Sequence, residues 1–185
     1  MFKQTPRLLC AVALAAAFVG AQVYAPARVA AQGGTPISFS LRTVDGGAIT
    51  SEMLRGEVVV LAFGASWLPL SRTQVQGVQK LADEYAGKSV RVYWVSTDSE
   101  SPKSKNYATD GQLREFARRN GLKIAVLRDP DGALFKRMGV ERNQLPAIVI
   151  LDKSGNVAGT PIGGFNTDPD HTLVEQLAPL LNKLL

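Results

Sequence analysis

The sequence of 185 residues has a single cysteine, Cys10, and a single histidine, His171. Because Cys10 lies within an N-terminal apolar run, the remainder of the chain has no thiol with which to form a disulfide bond or a dithiol pair. One histidine without a cysteine partner cannot build a thiolate or imidazole metal site. The composition therefore excludes a disulfide-stapled domain, an enzyme that uses its own dithiol and a metal centre of this kind.

A basic stripe interleaved with aromatic residues is also absent. Lys and Arg number 21 against 16 Asp and Glu, for a net charge of +5. The two signs are mixed along the chain, apart from short basic pieces such as Arg118–Arg119 and Arg128. We expect these pieces on a solvated surface, and nucleic acid is not an expected partner.

The first residues have the pattern of a secretory leader. Met1–Arg7 is basic, Leu8–Val23 is apolar and rich in Ala, and Ala25–Pro26–Ala27 has the A-x-A pattern of a cleavage site. We therefore expect a periplasmic or otherwise extracytoplasmic protein. The alternative is an uncleaved N-terminal anchor, in which case a membrane would be a partner.

These features predict three segments: a signal peptide at 1–27, a flexible linker at 28–36 that contains the Gly-rich stretch AQGGTP, and one folded domain at 37–185. The length of the last segment suits a single hydrophobic core.

Hydrophobic spacing predicts alternating strands and helices in this domain. Strands are predicted at 37–42, 48–50, 58–63, 90–96, 124–127, 147–152 and 156–162, the last two as a hairpin. Helices are predicted from the motif turn to Gly87, from Thr109 or Asp110 to Gly121, at 133–138, and from about Pro169 with a kink at Pro179. This order predicts an α/β fold: a mixed central sheet with helices on both faces and an extra N-terminal hairpin.

Three stretches carry a resemblance to a known family: VVVLAFGASWLPLSR, VRVYWVSTDSE, and the run from LRDPDG to IGGF. With them the chain resembles the thioredoxin-like superfamily, especially its exported TlpA-like thiol-disulfide oxidoreductases and its redoxin or alkyl-hydroperoxide-reductase-type (AhpC/TSA-like) domains. Phe63, Ala65, Trp67 and Arg72 match the strand-to-helix motif of that family, and Leu145–Pro146 matches its cis-proline segment. The resemblance implies a thioredoxin-like fold from about residue 37 to the end.

Both motif cysteines are replaced. Leu68 takes the place of the nucleophilic cysteine and Ser71 that of the resolving cysteine. The chemistry of the family requires a thiolate, whereas leucine cannot ionise and serine does not cycle between redox states. We expect Ser71 instead to cap the following helix with its hydroxyl. Gln74 replaces a carboxylate that many exported members use for proton transfer, and Gln76 stands where a helix proline is common.

We therefore expect no catalytic residue and no cofactor. The resemblance implies that the peptide-binding surface survives, with a hydrophobic patch around the motif, and a peptide or protein segment outside the cytoplasm is the expected partner. The expected binding residues are Trp67, Leu68, Pro69, Leu70, Ser71, Leu145, Pro146, Gly164 and Phe165. Two alternatives stay open: an oxidoreductase or peroxidase activity in keeping with the family, and a purely structural degenerate domain.

Other chemistry has weaker support in the sequence. Ser71 with His171 is the only Ser/His combination near the motif, and no third group orients it. Asp129, Asp131 and Asp152 are expected to stabilise turns, because the other ligand positions of a calcium loop are missing. No metal ligands are expected.

Overall fold

The computed structural model describes residues 35–164 and 172–185. The predictions of a signal peptide and of most of the linker lie outside these residues, as do Phe165 and His171. Within the described part of the chain, no helix combines the length and the apolar character needed to cross a bilayer.

Seven strands and four α-helices make up the described domain. The strands are β1 (Ser40–Arg42), β2 (Ala48–Thr50), β3 (Val58–Gly64), β4 (Val90–Ser96), β5 (Val126–Arg128), β6 (Ala147–Leu151) and β7 (Ile162–Gly163). The helices are α1 (Pro69–Glu84), α2 (Asp110–Arg119), α3 (Ala133–Arg137) and α4 (Leu173–Leu184), with single 3-10 turns at Glu52–Leu54 and Arg142–Gln144.

The predicted mixed sheet and the predicted N-terminal hairpin are both confirmed. The five-stranded sheet has the order β5-β4-β3-β6-β7, and β1 pairs with β2 in a separate antiparallel sheet. Strand β3 pairs in parallel with β4 and antiparallel with β6, so that it lies at the centre of the sheet.

The continuous apolar run of β3 is buried on both faces of the sheet. Val58, Val60 and Ala62 point into a core that contains the apolar sides of α1, α2 and α4. The alternate residues of the strand point into a second core formed with the N-terminal hairpin and α3. A strand covered on both sides has no need of polar residues at alternate positions, which explains its composition.

Three predicted boundaries are corrected by the structure. β5 begins at Val126 rather than at residue 124, and its backbone joins β4 through Trp94 and Ser96. The second strand of the C-terminal hairpin is reduced to β7 and one isolated bridge at Val157, because residues 159–161 leave the ladder after the N–H of Ala158 has donated to the carbonyl of Ile150. Helix α4 begins after Thr172, whose side chain forms a capping box, rather than near residue 169.

Candidate functional site

The motif turn joins the end of β3 to the start of α1. Leu68 is the residue that precedes the helix, with an extended backbone (φ −79°, ψ 123°) and no capping side chain, and Pro69 is the first helical residue. Proline suits this position, since its missing N–H would have no partner inside the helix. The sequence therefore begins the helix without a reactive group where the family has its nucleophile.

Ser71 lies inside α1 and its side chain is fully buried. Its hydroxyl accepts a hydrogen bond from the backbone N–H of Ala65 at 3.1 Å, and its own N–H donates to the carbonyl of Leu68 at 3.1 Å. The expectation that Ser71 caps the helix is wrong, because Ala65 belongs to the preceding turn and not to the helix. A buried hydroxyl engaged in this bond is also poorly placed to act as a nucleophile.

Gln74 is the polar centre of the site and is fully buried. Its amide nitrogen donates to the carbonyls of Phe63 and Ala147, both at 3.2 Å. Its amide oxygen accepts from the indole N–H of Trp94 at 3.1 Å. One side chain of α1 therefore joins three strands of the sheet, and this role needs two donors and one acceptor, which an ionised carboxylate cannot supply.

Gly64 leaves room for this cluster. A side-chain carbon at residue 64 would lie 2.8 Å from the amide oxygen of Gln74, 2.9 Å from the hydroxyl of Ser71 and 2.9 Å from the indole nitrogen of Trp94. Such contacts are shorter than van der Waals packing permits. Glycine at the end of β3 is thus required by close packing.

Asp98 holds the other end of the motif turn. Its buried carboxylate accepts from the N–H and the hydroxyl of Ser66, both at 2.8 Å, and from the hydroxyl of Ser96 at 2.8 Å. Asp98 lies two residues after the end of β4, so these bonds fix the motif turn to the neighbouring strand. Nothing in the sequence pattern distinguishes this aspartate from a surface acid.

Arg128 is buried, in contrast to the solvated position expected from the sequence; its side chain is 1% exposed. The guanidinium donates to the carbonyls of Ala108 at 3.0 Å and Asp98 at 3.1 Å, and to the carboxylate of Asp110 at 2.8 Å. Because these groups lie at both ends of the loop between β4 and α2, Arg128 holds that loop in place. The ion pair supplies the counter-charge that burial requires.

Arg42 of β1 extends this network to the surface. It forms ion pairs with Asp110, at 2.7 Å, and with Glu100. The hydrogen bond from Arg42, followed by that from Arg128, holds the pKa of the Asp110 carboxyl below its usual value. The N-terminal hairpin is therefore connected to the same loop.

A groove of about 420 Å³ opens beside the motif turn. Of the expected binding residues, it brings together Trp67, Leu68 and Leu145. Leu145 is joined by a cis peptide bond to the buried Pro146. The groove therefore lies between the degenerate motif and the cis-proline segment.

The other expected binding residues lie around the groove or away from it. Pro69 and Leu70 are exposed on the first turn of α1 but do not line the groove, and Ser71 is buried. Gly164 is exposed, and its N–H donates to the carbonyl of Pro146 at 3.2 Å. Trp67, 53% exposed, presents a large aromatic surface at the edge of the groove.

The rest of the groove is formed by residues that the sequence did not indicate. They come from the loop after β4 (Thr97, Ser99, Ser104 and Asn106), from the turn into α3 and its first residues (Pro130, Asp131, Gly132 and Phe135), and from the 3-10 turn at Arg142. No local motif identifies them, because they are distant in sequence and meet only when β5, β4, β3 and β6 lie side by side in the sheet. Across residues 35–164 and 172–185, no group of three His, Cys, Asp or Glu side chains is placed to hold a metal ion.

The acids expected in turns are found there. The buried carboxylate of Asp129 accepts from the backbone N–H groups of Leu134 and Phe135 at 3.2 and 2.9 Å, at the start of α3. Asp152 accepts from the N–H groups of the turn between β6 and Val157. Both carboxylates therefore stabilise the backbone, as predicted from the turn sequences.

Comparisons with known proteins agree with this geometry. The profile of the AhpC/TSA family matches residues 33–160. The thioredoxin-like protein YneN of Bacillus subtilis (strain 168) is 28% identical over 145 residues, which span 77% of this chain and 78% of that protein.

Two solved structures share the fold. A Chlorobium tepidum protein described as the thiol:disulfide interchange protein DsbE matches with a TM-score of 0.65 at 24% identity, over 80% of this chain and 96% of that one. The exposed lipoprotein thioredoxin Etrx1 of Streptococcus pneumoniae strain TIGR4 matches with a TM-score of 0.63 at 24% identity, over 80% of this chain and 100% of that one. The chain belongs to the AhpC/TSA family and has a thioredoxin-like fold, with leucine and serine at the two positions where the motif of the superfamily has cysteine.

Proposed function

We propose that this chain is an extracytoplasmic, redox-inactive member of its family that binds a peptide or protein segment in the groove beside the cis-proline. The observation that carries the proposal is that Leu68 occupies the nucleophile position and lines the groove, next to Trp67. Leucine in place of cysteine replaces a reactive thiol by an apolar contact. Exposed apolar surface in a groove is typical of a site for a partner.

The loss of redox chemistry is supported by the state of both replaced positions. Leu68 has no ionisable group, and the Ser71 hydroxyl is buried in a bond to the backbone. Disulfide exchange and peroxide reduction in this superfamily both begin with a thiolate. Gln74 cannot replace the missing proton-transfer group, because its amide does not titrate and its hydrogen-bonding atoms are engaged within the sheet.

An extracytoplasmic location is supported by the N-terminal sequence and by a relative. Residues 1–27 have the basic, apolar and small-residue regions of a signal peptide. Etrx1 is described as an exposed lipoprotein. Expression with a reporter fused after the C-terminus, active only outside the cytoplasm, tests this location.

Peptide binding is tested with an array of random-sequence peptides and the purified protein. We expect the wild type to bind a subset of peptides, and Leu68→Asp to weaken this binding about 30-fold or more, since a charge in a central apolar contact costs about 2 kcal/mol. Met53→Asp is the matched control: Met53 is 64% exposed and lies in the 3-10 turn after β2, outside the groove.

The two open alternatives give different results in the same experiments. A purely structural domain binds none of the peptides, or binds them equally well after Leu68→Asp. An active oxidoreductase accelerates insulin reduction or peroxide consumption above a protein-free control, with a cysteine-containing thioredoxin as the positive control. Either result would contradict the proposal.

A further inference from the structure

Arg142 presents a free positive charge to the groove. It is exposed, it lines the groove together with Leu68 and Leu145, and no hydrogen bond or ion pair joins its guanidinium to any other described residue. Its backbone position is fixed, because a capping box between Glu141 and Gln144 holds the 3-10 turn directly before the cis-proline segment. The charge therefore lies at a defined place beside the apolar surface.

The other charged groups near the groove leave an excess of positive charge. Lys103 and Lys105 flank Ser104, which lines the groove, and both are exposed. Asp131, on the turn into α3, is the acid that lines the groove. Glu141 is adjacent to Arg142 and its carboxylate offsets part of this charge, but Lys103, Lys105 and Arg142 still outnumber Asp131 and Glu141. Carboxylates on a ligand would therefore meet a rim that attracts them.

An apolar surface lies beside this charge. Trp67 and Leu68 from the motif turn, Leu145 from the cis-proline segment and Phe135 from α3 contribute to the same groove. An extended segment places successive side chains on opposite sides of its backbone. One side chain can therefore contact the apolar surface while its neighbour extends toward the rim.

From this arrangement, and resting on the proposed function, we propose that the preferred ligand is an extended peptide segment in which a bulky apolar residue is adjacent to Asp or Glu. The apolar residue packs on Trp67 and Leu68, and the carboxylate pairs with Arg142. Arg142 is then the specificity-determining residue of the groove.

The expected contribution of the pair is modest because Arg142 is exposed. Solvent-exposed ion pairs contribute about 0.2–1 kcal/mol, so the preference for an acidic over a neutral ligand is up to about fivefold in Kd. The preference is also reduced by salt, since the Debye length falls from about 10 Å at 0.1 M to about 3 Å at 1 M.

The test uses a set of short peptides that are identical except for one dipeptide, which is Leu-Glu, Leu-Gln or Leu-Lys in an otherwise neutral sequence. Binding is measured by isothermal titration calorimetry and by tryptophan fluorescence. The exposed Trp67 is expected to respond to the ligand, whereas Trp94 is buried. We expect the wild type to bind the Leu-Glu peptide about three- to fivefold more tightly than the Leu-Gln peptide, and the Leu-Lys peptide most weakly.

The Arg142→Gln variant is expected to bind the Leu-Glu and Leu-Gln peptides equally. Lys80→Gln is the matched control, because it removes one positive charge from an exposed position of α1 outside the groove; it should retain the preference. High salt should abolish the preference of the wild type and leave the binding of the Leu-Gln peptide unchanged.

Failure of this inference is distinguishable from failure of the proposed function. Equal binding of all the peptides by the wild type, with loss of binding after Leu68→Asp, overturns the specificity and leaves the groove as the binding site. An acidic preference that survives Arg142→Gln overturns the role of Arg142. Absence of binding to any of the peptides, together with absence of binding to the random-sequence array, overturns both.

Discussion

Replacing Gln74 by glutamate places a carboxyl group at the centre of the buried hydrogen-bond cluster, and we expect it to destabilise this protein in a pH-dependent way. The amide of Gln74 donates to the carbonyls of Phe63 and Ala147 and accepts from Trp94. A protonated carboxyl group can donate one hydrogen bond where the amide donates two. An ionised carboxylate can donate none and faces two carbonyl oxygens without a counter-charge.

The magnitude follows from the burial of this position. Loss of one donor costs about 1 kcal/mol at any pH. An ordinary glutamate has a pKa of about 4.3, and full burial raises the pKa of a carboxyl by about 3 or more, to about 7. The folded state of the variant then retains a proton that the unfolded state loses. Keeping this proton lowers the free energy of unfolding by about 1.4 kcal/mol for each pH unit between the two pKa values, or by about 4 kcal/mol at pH 7.5.

The sign of the pH dependence is therefore defined. Because the folded-state pKa of the introduced carboxyl exceeds its unfolded-state pKa, the variant comes closest to the wild type below about pH 4 and loses stability as the pH rises toward 7. Relative to the wild type, we expect a deficit of about 1 kcal/mol at pH 4 and about 5 kcal/mol at pH 7.5.

The assay is urea denaturation of Gln74→Glu and the wild type at both pH values, followed by tryptophan fluorescence. Gln76→Glu is the matched control, because Gln76 lies two residues away on the exposed side of α1; its stability should follow the wild type at both pH values. The reasoning is refuted when the deficit of Gln74→Glu is the same at pH 4 and pH 7.5, or is no larger than that of Gln76→Glu. A variant that unfolds cooperatively at pH 4 but does not fold at pH 7.5 supports it.

Two further predictions concern the groups that hold the loops of the site. Asp98→Ala removes the acceptor of Ser66, and we expect it to lower the free energy of unfolding by about 2 kcal/mol. Asp131→Ala, at an exposed position, is the control and should cost less than about 0.5 kcal/mol. Equal urea midpoints for the two variants would contradict this. Because Arg42 holds the pKa of Asp110 below its usual value, the stabilisation from this carboxylate is complete above about pH 4 and is lost as the pH falls through the lowered pKa. Asp110→Asn should therefore lose more unfolding free energy relative to the wild type at pH 6 than at pH 2.5. An equal loss at both pH values would exclude this ionisation as its cause.

The motif turn is well ordered with leucine and serine at the two positions where the superfamily motif has cysteine. Pro69 still begins α1, and Ser71 still fills the second cysteine position, but its hydroxyl now holds the backbone of Ala65. Gln74 connects the same helix to the strand that follows the cis-proline. The surface beside the turn is thus held by hydrogen bonds that require no thiol.

Much of the fold could be predicted because its signals are local. The apolar run of β3, the capping box at Thr109 and the turn sequence that places Asp129 before α3 each depend on residues within a few positions. Errors occurred where a tertiary contact decides the outcome. The strand predicted at 156–162 makes little of the expected pairing, and the last helix begins directly after Thr172, whose side chain caps it.

The candidate site likewise contains features that the sequence predicts and features that it does not predict. Replacement of both motif cysteines, by Leu68 and Ser71, is visible in the sequence, and it excludes a dithiol pair within the motif. Arg128 shows the opposite case: its charge predicts a solvated position, yet carbonyls and a carboxylate from distant loops surround it.

Local sequence patterns predict the class of fold, the position of the motif turn and the absence of cysteine from that turn, because periodicity and residue type act over short distances along the chain. The folded structure is needed to show which charges are buried, which side chains line the groove and which hydrogen bonds the amide at position 74 forms. These properties depend on groups that are far apart in sequence, and the hydrogen bonds and burial that define them exist only when the strands lie side by side.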